Sequence, residues 1–330
     1  MTFVDKIFYN QTAKKQSEKG GELILIKRVA LLSIAITYVL IVFGGFVASS
    51  ESGMGCGPEW PLCNGDVIPE MKGETLIEFA HRVIGFVLAV MSIILFIVIK
   101  KSGVHQKLKN AGRLMISLLA IQIIAGALVV LFDLPTIIVT FHLLVAMVFL
   151  FALLWIYRLS MPKRSRQSTH TQMGKLKTNI ILLLVMIFIT IGFGAYIKHQ
   201  HYGIACGWLD CGNTLLPVTE AQIFQTIHRL LAVITAIYTI LLTVWVGKSK
   251  YGKRIMKRFL LAAFIIFIQL FSGVITILTT ISISWAVVHL ALATALFMIV
   301  ADIFILVMFD APLFHVTSKK QIDEQPLSRI

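Results

Sequence analysis

The most regular feature of the sequence is the alternation of long apolar runs with short polar and basic segments. Each run is long enough to cross the roughly 30 Å hydrocarbon core of a membrane as an α-helix. None alternates apolar and polar residues as a membrane barrel strand does, so the backbone hydrogen bonds are expected to close within helices. The pattern therefore predicts an all-α integral membrane protein with eight transmembrane helices, at about residues 29–48, 83–99, 114–132, 137–157, 179–197, 230–246, 259–280 and 285–309.

Composition and charge sharpen this interpretation. The chain is 58% hydrophobic and only 14% charged, which excludes an ordinary soluble domain. Its net charge of +14 is spread over the N-terminal arm, three short loops (100–113, 158–177 and 248–258) and the tail. Short cytoplasmic loops retain Lys and Arg, so both termini are predicted to be cytoplasmic in a multi-pass protein of the cell membrane. Because the charge is divided among short segments, we expect contact with membrane lipid and no nucleic-acid partner.

The chain also repeats itself at an offset of 147 residues. The offset carries His81 onto His228, Arg82 onto Arg229, Gln122 onto Gln269, Gly126 onto Gly273, His142 onto His289 and Ala146 onto Ala293. Each half holds four predicted spans, so both halves enter the membrane from the same side and form two parallel four-helix-bundle repeats. The predicted division is a flexible cytoplasmic arm (1–26), an N-terminal repeat (27–160), a cytoplasmic linker (161–177), a C-terminal repeat (178–310) and a cytoplasmic tail (311–330).

Four histidines stand apart because they fall at matched places, near the starts of the four even-numbered helices. They are His81 and His142 in the first half and His228 and His289 in the second. A single histidine of this kind can simply bond a neighbouring helix. Two pairs at similar depth near the outer face instead suit the two axial positions of a haem iron, whereas zinc usually takes three or four protein ligands.

Other polar residues lie beside these histidines. Arg82 and Arg229 directly follow two of them and are candidate partners for haem propionates, with snorkelling to the interface as the alternative. Gln122 with Gly126, and Gln269 with Gly273, indicate either close helix packing or room for the edge of a macrocycle.

All four cysteines fall in predicted outer loops, as CGPEWPLC (Cys56, Cys63) and CGWLDC (Cys206, Cys211). Outside the cytoplasm the default is two disulfides, and pairing within each loop needs the least rearrangement among the three possible connectivities. A zinc site formed by Cys206, Cys211, His199 and His201 is the alternative. Each disulfide would close only a short loop, which leaves room for a redox or lid role.

The two halves differ at one chemically important position. Glu78 lies three residues before His81, one helical turn away on the same face, and the second half has Gln225 at the equivalent place. A carboxylate beside a metal ligand can accept or donate protons, while an amide only forms hydrogen bonds. One half is therefore predicted to carry out chemistry and the other to hold a redox cofactor.

These features together closely resemble the haem A synthase family. The resemblance rests on eight spans in two repeats, the paired histidines, EFAHR at the second helix and a two-cysteine motif in each outer loop, over about residues 25–310. It implies a membrane oxidoreductase that converts the C8 methyl of haem O to a formyl group by successive hydroxylations, giving haem A for terminal oxidases.

The resemblance also implies roles for individual residues. His228 and His289 would bind a resident haem b as cofactor, and His81 and His142 the substrate haem. Glu78 matches the family's catalytic glutamate, and Cys56 with Cys63 its functionally important outer pair. Haem O synthase and an unidentified electron donor are the expected protein partners.

Two other functions fit a two-haem membrane protein. One is a cytochrome that only transfers electrons, linked to quinol, and the other is a haem carrier. An electron conduit is expected to place its haems on opposite sides of the membrane, whereas the four histidines share one depth. A transporter more often has broken helices, whereas Pro135, Pro162 and Pro312 all lie at span ends.

Overall fold

The computed structural model describes residues 3–161, 170–207, 211, 216–249 and 251–309, with only the backbone for 3–19, 170–173 and 309. This part of the chain forms eight long α-helices, each with an apolar stretch long enough to cross a membrane. The prediction of an all-α protein with eight transmembrane helices is therefore confirmed. The helices are α1 (Phe3–Ser49), α2 (Gly73–Lys101), α3 (Gln106–Leu131), α4 (Thr136–Leu159), α5 (His170–His199), α6 (Glu220–Lys248), α7 (Lys253–Leu278) and α8 (Ile283–Phe309).

Most helices begin before the apolar run that predicted them. Helix α1 is the largest case: its backbone is helical from Phe3, through most of the segment predicted to be a flexible arm. That segment is rich in Lys, Gln and Glu, which favour helix as strongly as many apolar residues do, so hydropathy alone misses it. The predicted tail (311–330) and residues 162–169 of the linker lie outside the described residues, and the domain boundaries stay a prediction.

The helices pack in two sets of four. Helices α1 to α4 contact one another in sequence and α4 returns to α1, and helices α5 to α8 do the same. The two sets meet where α1 contacts α8 and where α4 contacts α5 and α8. Consequently α4 and α8 have the most buried spans, at 44% and 50%. Two four-helix bundles that lie side by side would make these contacts. That the two bundles are parallel repeats stays a prediction.

Matched turns precede the two most buried helices. Asp133 and Leu134, between α3 and α4, have φ angles of 59° and 58°, and Thr280 and Ile281, between α7 and α8, have 51° and 60°. Residues other than glycine rarely adopt this left-handed conformation, and for β-branched Ile281 it is unusual. In each turn the second of these residues donates its N–H to a carbonyl five residues back, at 2.8 Å. The turns thus fix where α4 and α8 begin, and with that the positions of His142 and His289.

A half-buried ionic cluster joins the two sets at the opposite ends of the helices. Asp302 on α8 accepts from Arg158 on α4 (Nη2–Oδ2 2.5 Å) and from Arg258 on α7 (Nε–Oδ2 2.6 Å). Charges this close to a membrane core require partners. The cluster therefore ties the last turn of α4 to both α7 and α8.

Candidate functional site

The four predicted histidines lie on the four even-numbered helices. His81 and His228 stand eight residues after the first residue of α2 and α6, and His142 and His289 stand six after the first residue of α4 and α8. At a rise of 1.5 Å per residue these offsets are about 9–12 Å. The histidines thus lie about two turns inside their helices. The helix starts predicted from hydropathy place them nearer the helix ends.

Within each half the two histidines lie near each other. His81 and His142 are close enough for their charges to interact, and so are His228 and His289. The side chains are half-buried. The Nδ1 atoms of His81, His142 and His228 are shielded from solvent and have no hydrogen-bond partner within the described part of the chain. Buried polar atoms without partners are uncommon, and where they occur they often mark a functional site.

Each imidazole packs against a glycine on the neighbouring odd-numbered helix. A Cβ atom added to these glycines would lie 2.9–3.1 Å from Cε1 of the facing histidine: Gly44 on α1 from His81 (3.1 Å), Gly126 on α3 from His142 (3.0 Å), Gly194 on α5 from His228 (2.9 Å) and Gly273 on α7 from His289 (3.0 Å). Any larger residue would displace the ring. Four glycines thus make room for the four imidazoles.

Two of these glycines were missed in the sequence. The repeat offset of 147 finds Gly126 and Gly273, but Gly44 and Gly194 are 150 residues apart. The same larger offset relates Cys56 to Cys206, as well as the two short 3₁₀ helices, Ser52–Met54 and Tyr202–Ile204. The second half is three residues shorter between its first cysteine and α6, which changes the offset. A search that allowed one gap would have found all four glycines.

A glutamine amide faces one histidine of each pair. Gln122 Nε2 lies 3.1 Å from His142 Nε2, and Gln269 Nε2 lies 3.2 Å from His289 Nε2. In the second half, Ser272 Oγ also lies 2.9 Å from His289 Nδ1. Each glutamine therefore contacts a histidine directly, in addition to any role in the packing of the helices.

Glu78 is buried, with 4% of its surface exposed, at the start of α2. Its Oε2 accepts the backbone N–H of Cys56 at 2.8 Å, and its Oε1 accepts from Arg82 at 2.5 and 3.0 Å. The equivalent Gln225 is buried to the same extent, and its Oε1 accepts the N–H of Cys206 at 2.6 Å. Both side chains therefore hold the first cysteine of their outer loop, but only one of them carries a charge.

The two arginines have different surroundings. Arg82 contacts Glu78 and also donates Nη1–H to the carbonyl of Leu62 at 2.8 Å, so three of its five N–H groups are in use. Toward the described residues, Arg229 donates one hydrogen bond, from Nη2 to the carbonyl of Cys206 at 3.2 Å. Its Nε is buried and has no partner among the residues that the structure describes. Arg229 therefore retains more hydrogen-bonding capacity for an added anion than Arg82.

Both disulfides form within their loops, Cys56 with Cys63 and Cys206 with Cys211. The second disulfide uses the two thiols that the zinc alternative needs. The other two ligands of the zinc alternative would be His199 and His201. The backbone carbonyl of His199 accepts a hydrogen bond from Thr136, and His201 directly precedes the second 3₁₀ helix. Within the described ranges, no group of three or more His, Cys, Asp and Glu side chains is placed to hold a metal ion.

The chemistry of the donors fits a pair of haems. Each half offers two imidazoles, carried by two helices that are not adjacent in its set of four, and two imidazoles are the number that the axial positions of a haem iron take. The glycines let the rings sit close to the neighbouring helices. The surrounding helices are apolar, as a macrocycle requires.

Comparisons with known proteins point to one family. The sequence model of COX15-CtaA, described as a cytochrome oxidase assembly protein, matches residues 27–301. A heme A synthase of Bacillus licheniformis is 28% identical over 286 residues, covering 84% of this chain and 94% of the relative. Heme A synthases of Bacillus pumilus and Lysinibacillus sphaericus are each 27% identical, over 81% of this chain and 91% and 90% of their own lengths.

Proposed function

The chain belongs to the COX15-CtaA family of cytochrome oxidase assembly proteins, and from this premise we propose that it is a haem A synthase. The reaction is oxidation of the C8 methyl of haem O to a formyl group by successive hydroxylations. The observation that carries the proposal is the presence of two pairs of histidines, each histidine seated against a glycine, in a chain that aligns with heme A synthases over most of its length.

We assign the two pairs different occupants. His81 and His142 would hold the substrate, haem O, and His228 and His289 would hold a resident haem b. When bound, haem b supplies one-electron redox chemistry. The assignment is supported by Glu78, because the acid stands beside the N-terminal pair and the C-terminal pair has Gln225 instead.

In this assignment Glu78 is the catalytic residue. Arg82 and the N–H of Cys56 bond the two carboxylate oxygens and so fix the orientation of the carboxylate. Each carboxylate oxygen can accept further hydrogen bonds, so Glu78 retains capacity to take a proton at Oε1 or Oε2. It would move protons during oxidation of the methyl group or stabilise positive charge that develops on the methyl carbon.

The outer loops cover the sites in this proposal. The loop closed by Cys56 and Cys63 bonds both Glu78 and Arg82, and so fixes the catalytic carboxylate. Arg229, whose Nε has no hydrogen-bond partner among the described residues, is the better supported propionate partner, while Arg82 retains two N–H groups for the same role.

Further parts of the proposal concern location and partners. We propose that the protein lies in the cell membrane with both termini in the cytoplasm, because the basic loops lie on the side of the N-terminus. Haem O synthase would supply the substrate, and a separate protein would donate electrons. We also propose the division into two functional repeats, 27–160 for the substrate haem and 178–310 for haem b.

Mass spectrometry of extracted haems tests the function. The full chain is expressed in a membrane host that makes haem O but no haem A, and the extract is compared with that of the host carrying the His81→Ala variant. We expect haem A with the parental chain and none with the variant. Recovery of haem b and unaltered haem O alone from the parental chain would overturn the proposal and favour a two-haem electron carrier.

A further inference from the structure

The two halves differ in how the second histidine of each pair is held. In the C-terminal half, Ser272 Oγ on α7 lies 2.9 Å from His289 Nδ1. The equivalent residue on α3, 147 positions earlier, is Ala125, which has no polar side-chain atom. Ser272 and Ala125 are both buried, with 1% and 3% of their surfaces exposed. The difference therefore lies inside the protein, next to a predicted iron ligand.

The hydrogen bonds around His289 specify its tautomer. Ser272 donates its hydroxyl hydrogen to the carbonyl of Gln269 at 2.8 Å, so its oxygen accepts from His289 and Nδ1 carries the proton. The lone pair is then on Nε2, where it faces the amide of Gln269 at 3.2 Å. An imidazole with its lone pair on Nε2 and a bonded Nδ1–H is ready to bind a metal.

His142 lacks this support. Gln122 faces its Nε2 at 3.1 Å, as Gln269 faces that of His289. The carbonyl of Gln122 lies near this ring, as the carbonyl of Gln269 lies near the ring of His289, so this contact is common to both halves. Nδ1 nevertheless has no hydrogen-bond partner in the described part of this half, because Ala125 replaces the serine. The amide of Gln122 thus places the lone pair of His142 on Nε2 and the proton on Nδ1, as in His289, but no side chain accepts that Nδ1–H in the described part of this half.

A metal-binding histidine usually donates its other N–H to an acceptor, which orients the ring and makes the ligand nitrogen more basic. Removing such an acceptor typically weakens metal binding 10- to 100-fold. We propose that Ser272 is a positioning residue that makes the C-terminal haem resident, and that Ala125 keeps the N-terminal haem exchangeable. This inference rests on the proposed function, in which one haem is a cofactor and the other must enter and leave.

The rate of haem loss tests the inference in the purified full-length protein. Haem b is transferred to an excess of apomyoglobin and followed by absorbance. We expect Ser272→Ala to lose haem b about tenfold faster than the parental protein, with an unchanged thermal unfolding midpoint. Ser272→Thr retains a hydroxyl and should restore slow loss. Loss from Ser272→Ala at the parental rate would overturn the inference.

The reciprocal variant gives an independent test. In a His228→Ala background supplied with haem O, the N-terminal site is expected to be the one that holds haem, and Ala125→Ser should slow the loss of haem O from it by about tenfold. If both Ser272 variants fail to fold, this arm decides, and an unchanged rate overturns the inference. A parental protein that forms no haem A would overturn the proposed function instead, whatever the rates of haem loss.

Discussion

The N-terminal and C-terminal halves share a scaffold and differ in a few buried side chains. In both, a glycine seats each histidine, a glutamine faces the second histidine, and a residue on the second helix holds the first cysteine of the outer loop. They differ where Glu78 matches Gln225 and where Ala125 matches Ser272. In the proposed function the shared features would serve a haem site in each half, and the differences would set what each half does with its haem.

The comparison is most informative at Glu78. Gln225 accepts the same cysteine N–H bond with a neutral amide, at a similar degree of burial. A carboxylate is therefore not needed to hold the loop. Burying a charge is costly unless it is paired, and Glu78 depends on Arg82 for that pairing. A neutral amide serves the same structural purpose in the second half, and Glu78 needs Arg82 as a counter-charge. A role in the reaction therefore explains Glu78 better than a role in packing does.

The largest expected effect comes from removing a proposed iron ligand from one half. We predict that His228→Ala or His289→Ala abolishes haem b in the purified protein, because one axial imidazole cannot replace two. The measurement is a pyridine haemochrome assay per mole of protein. His81→Ala is the matched control and should retain haem b. If both C-terminal variants keep their full content of haem b, the assignment of haem b to the C-terminal half is wrong.

The variant Glu78→Gln removes the charge by which Glu78 differs from the equivalent Gln225. The variant copies Gln225, so we expect it to fold, to retain the bond to the Cys56 N–H and to retain haem b. Haem A formation should fall at least about a hundredfold, as expected when a group that transfers protons is lost, and haem O or an early oxidation product should accumulate. Products are identified by mass spectrometry.

The control for this variant is Glu74→Gln, which neutralises an exposed carboxylate in the first turn of the same helix. It should form haem A at the parental rate. If Glu78→Gln does the same, Glu78 is a structural partner of Arg82 and the chemical difference between the halves lies elsewhere.

Much of this comparison could be predicted from the sequence, because it depends on pattern and composition. Hydropathy gives the eight helices, and one ungapped offset gives the four histidines and the contrast between Glu78 and Gln225. The contacts of Ser272 with His289 and of Asp302 with Arg158 could not be predicted, since they join residues on different helices whose rotation about their axes hydropathy does not fix. Gly44 and Gly194 were missed because the outer loops differ in length.

A smaller effect is expected from filling the space beside one histidine at a time. Gly194→Ala would place a methyl 2.9 Å from His228, and we expect haem b retention to weaken about tenfold, within the usual cost of overpacking. Gly44→Ala would crowd His81 at 3.1 Å and should slow haem A formation without loss of haem b.

Gly85→Ala is the control for both glycine variants, because its methyl would lie 3.9 Å from Leu40, at ordinary contact distance. It should match the parental protein in haem content and in haem A formation. Equal loss of haem b from Gly194→Ala and Gly44→Ala would show that the two sites are not independent.

The smallest effect is expected from opening the disulfides, and it should divide between the halves. The loop closed by Cys56 and Cys63 supplies an N–H to Glu78 and a carbonyl to Arg82, so the double serine variant should lower haem A formation about threefold to tenfold and leave haem b in place. The loop closed by Cys206 and Cys211 bonds Gln225 and Arg229, so its double serine variant should weaken haem b retention by a similar factor.

The factors are modest because each disulfide closes only a short loop and the backbone N–H of Cys56 or Cys206 survives the change to serine. Labelling with a maleimide before and after reduction establishes that both pairs are oxidised in the parental protein. The decisive result is which of the two properties, haem A formation or haem b retention, each disulfide affects. If opening the first loop releases haem b while opening the second slows haem A formation, each loop serves the other half's site, and the assignment of one chemical and one redox half fails.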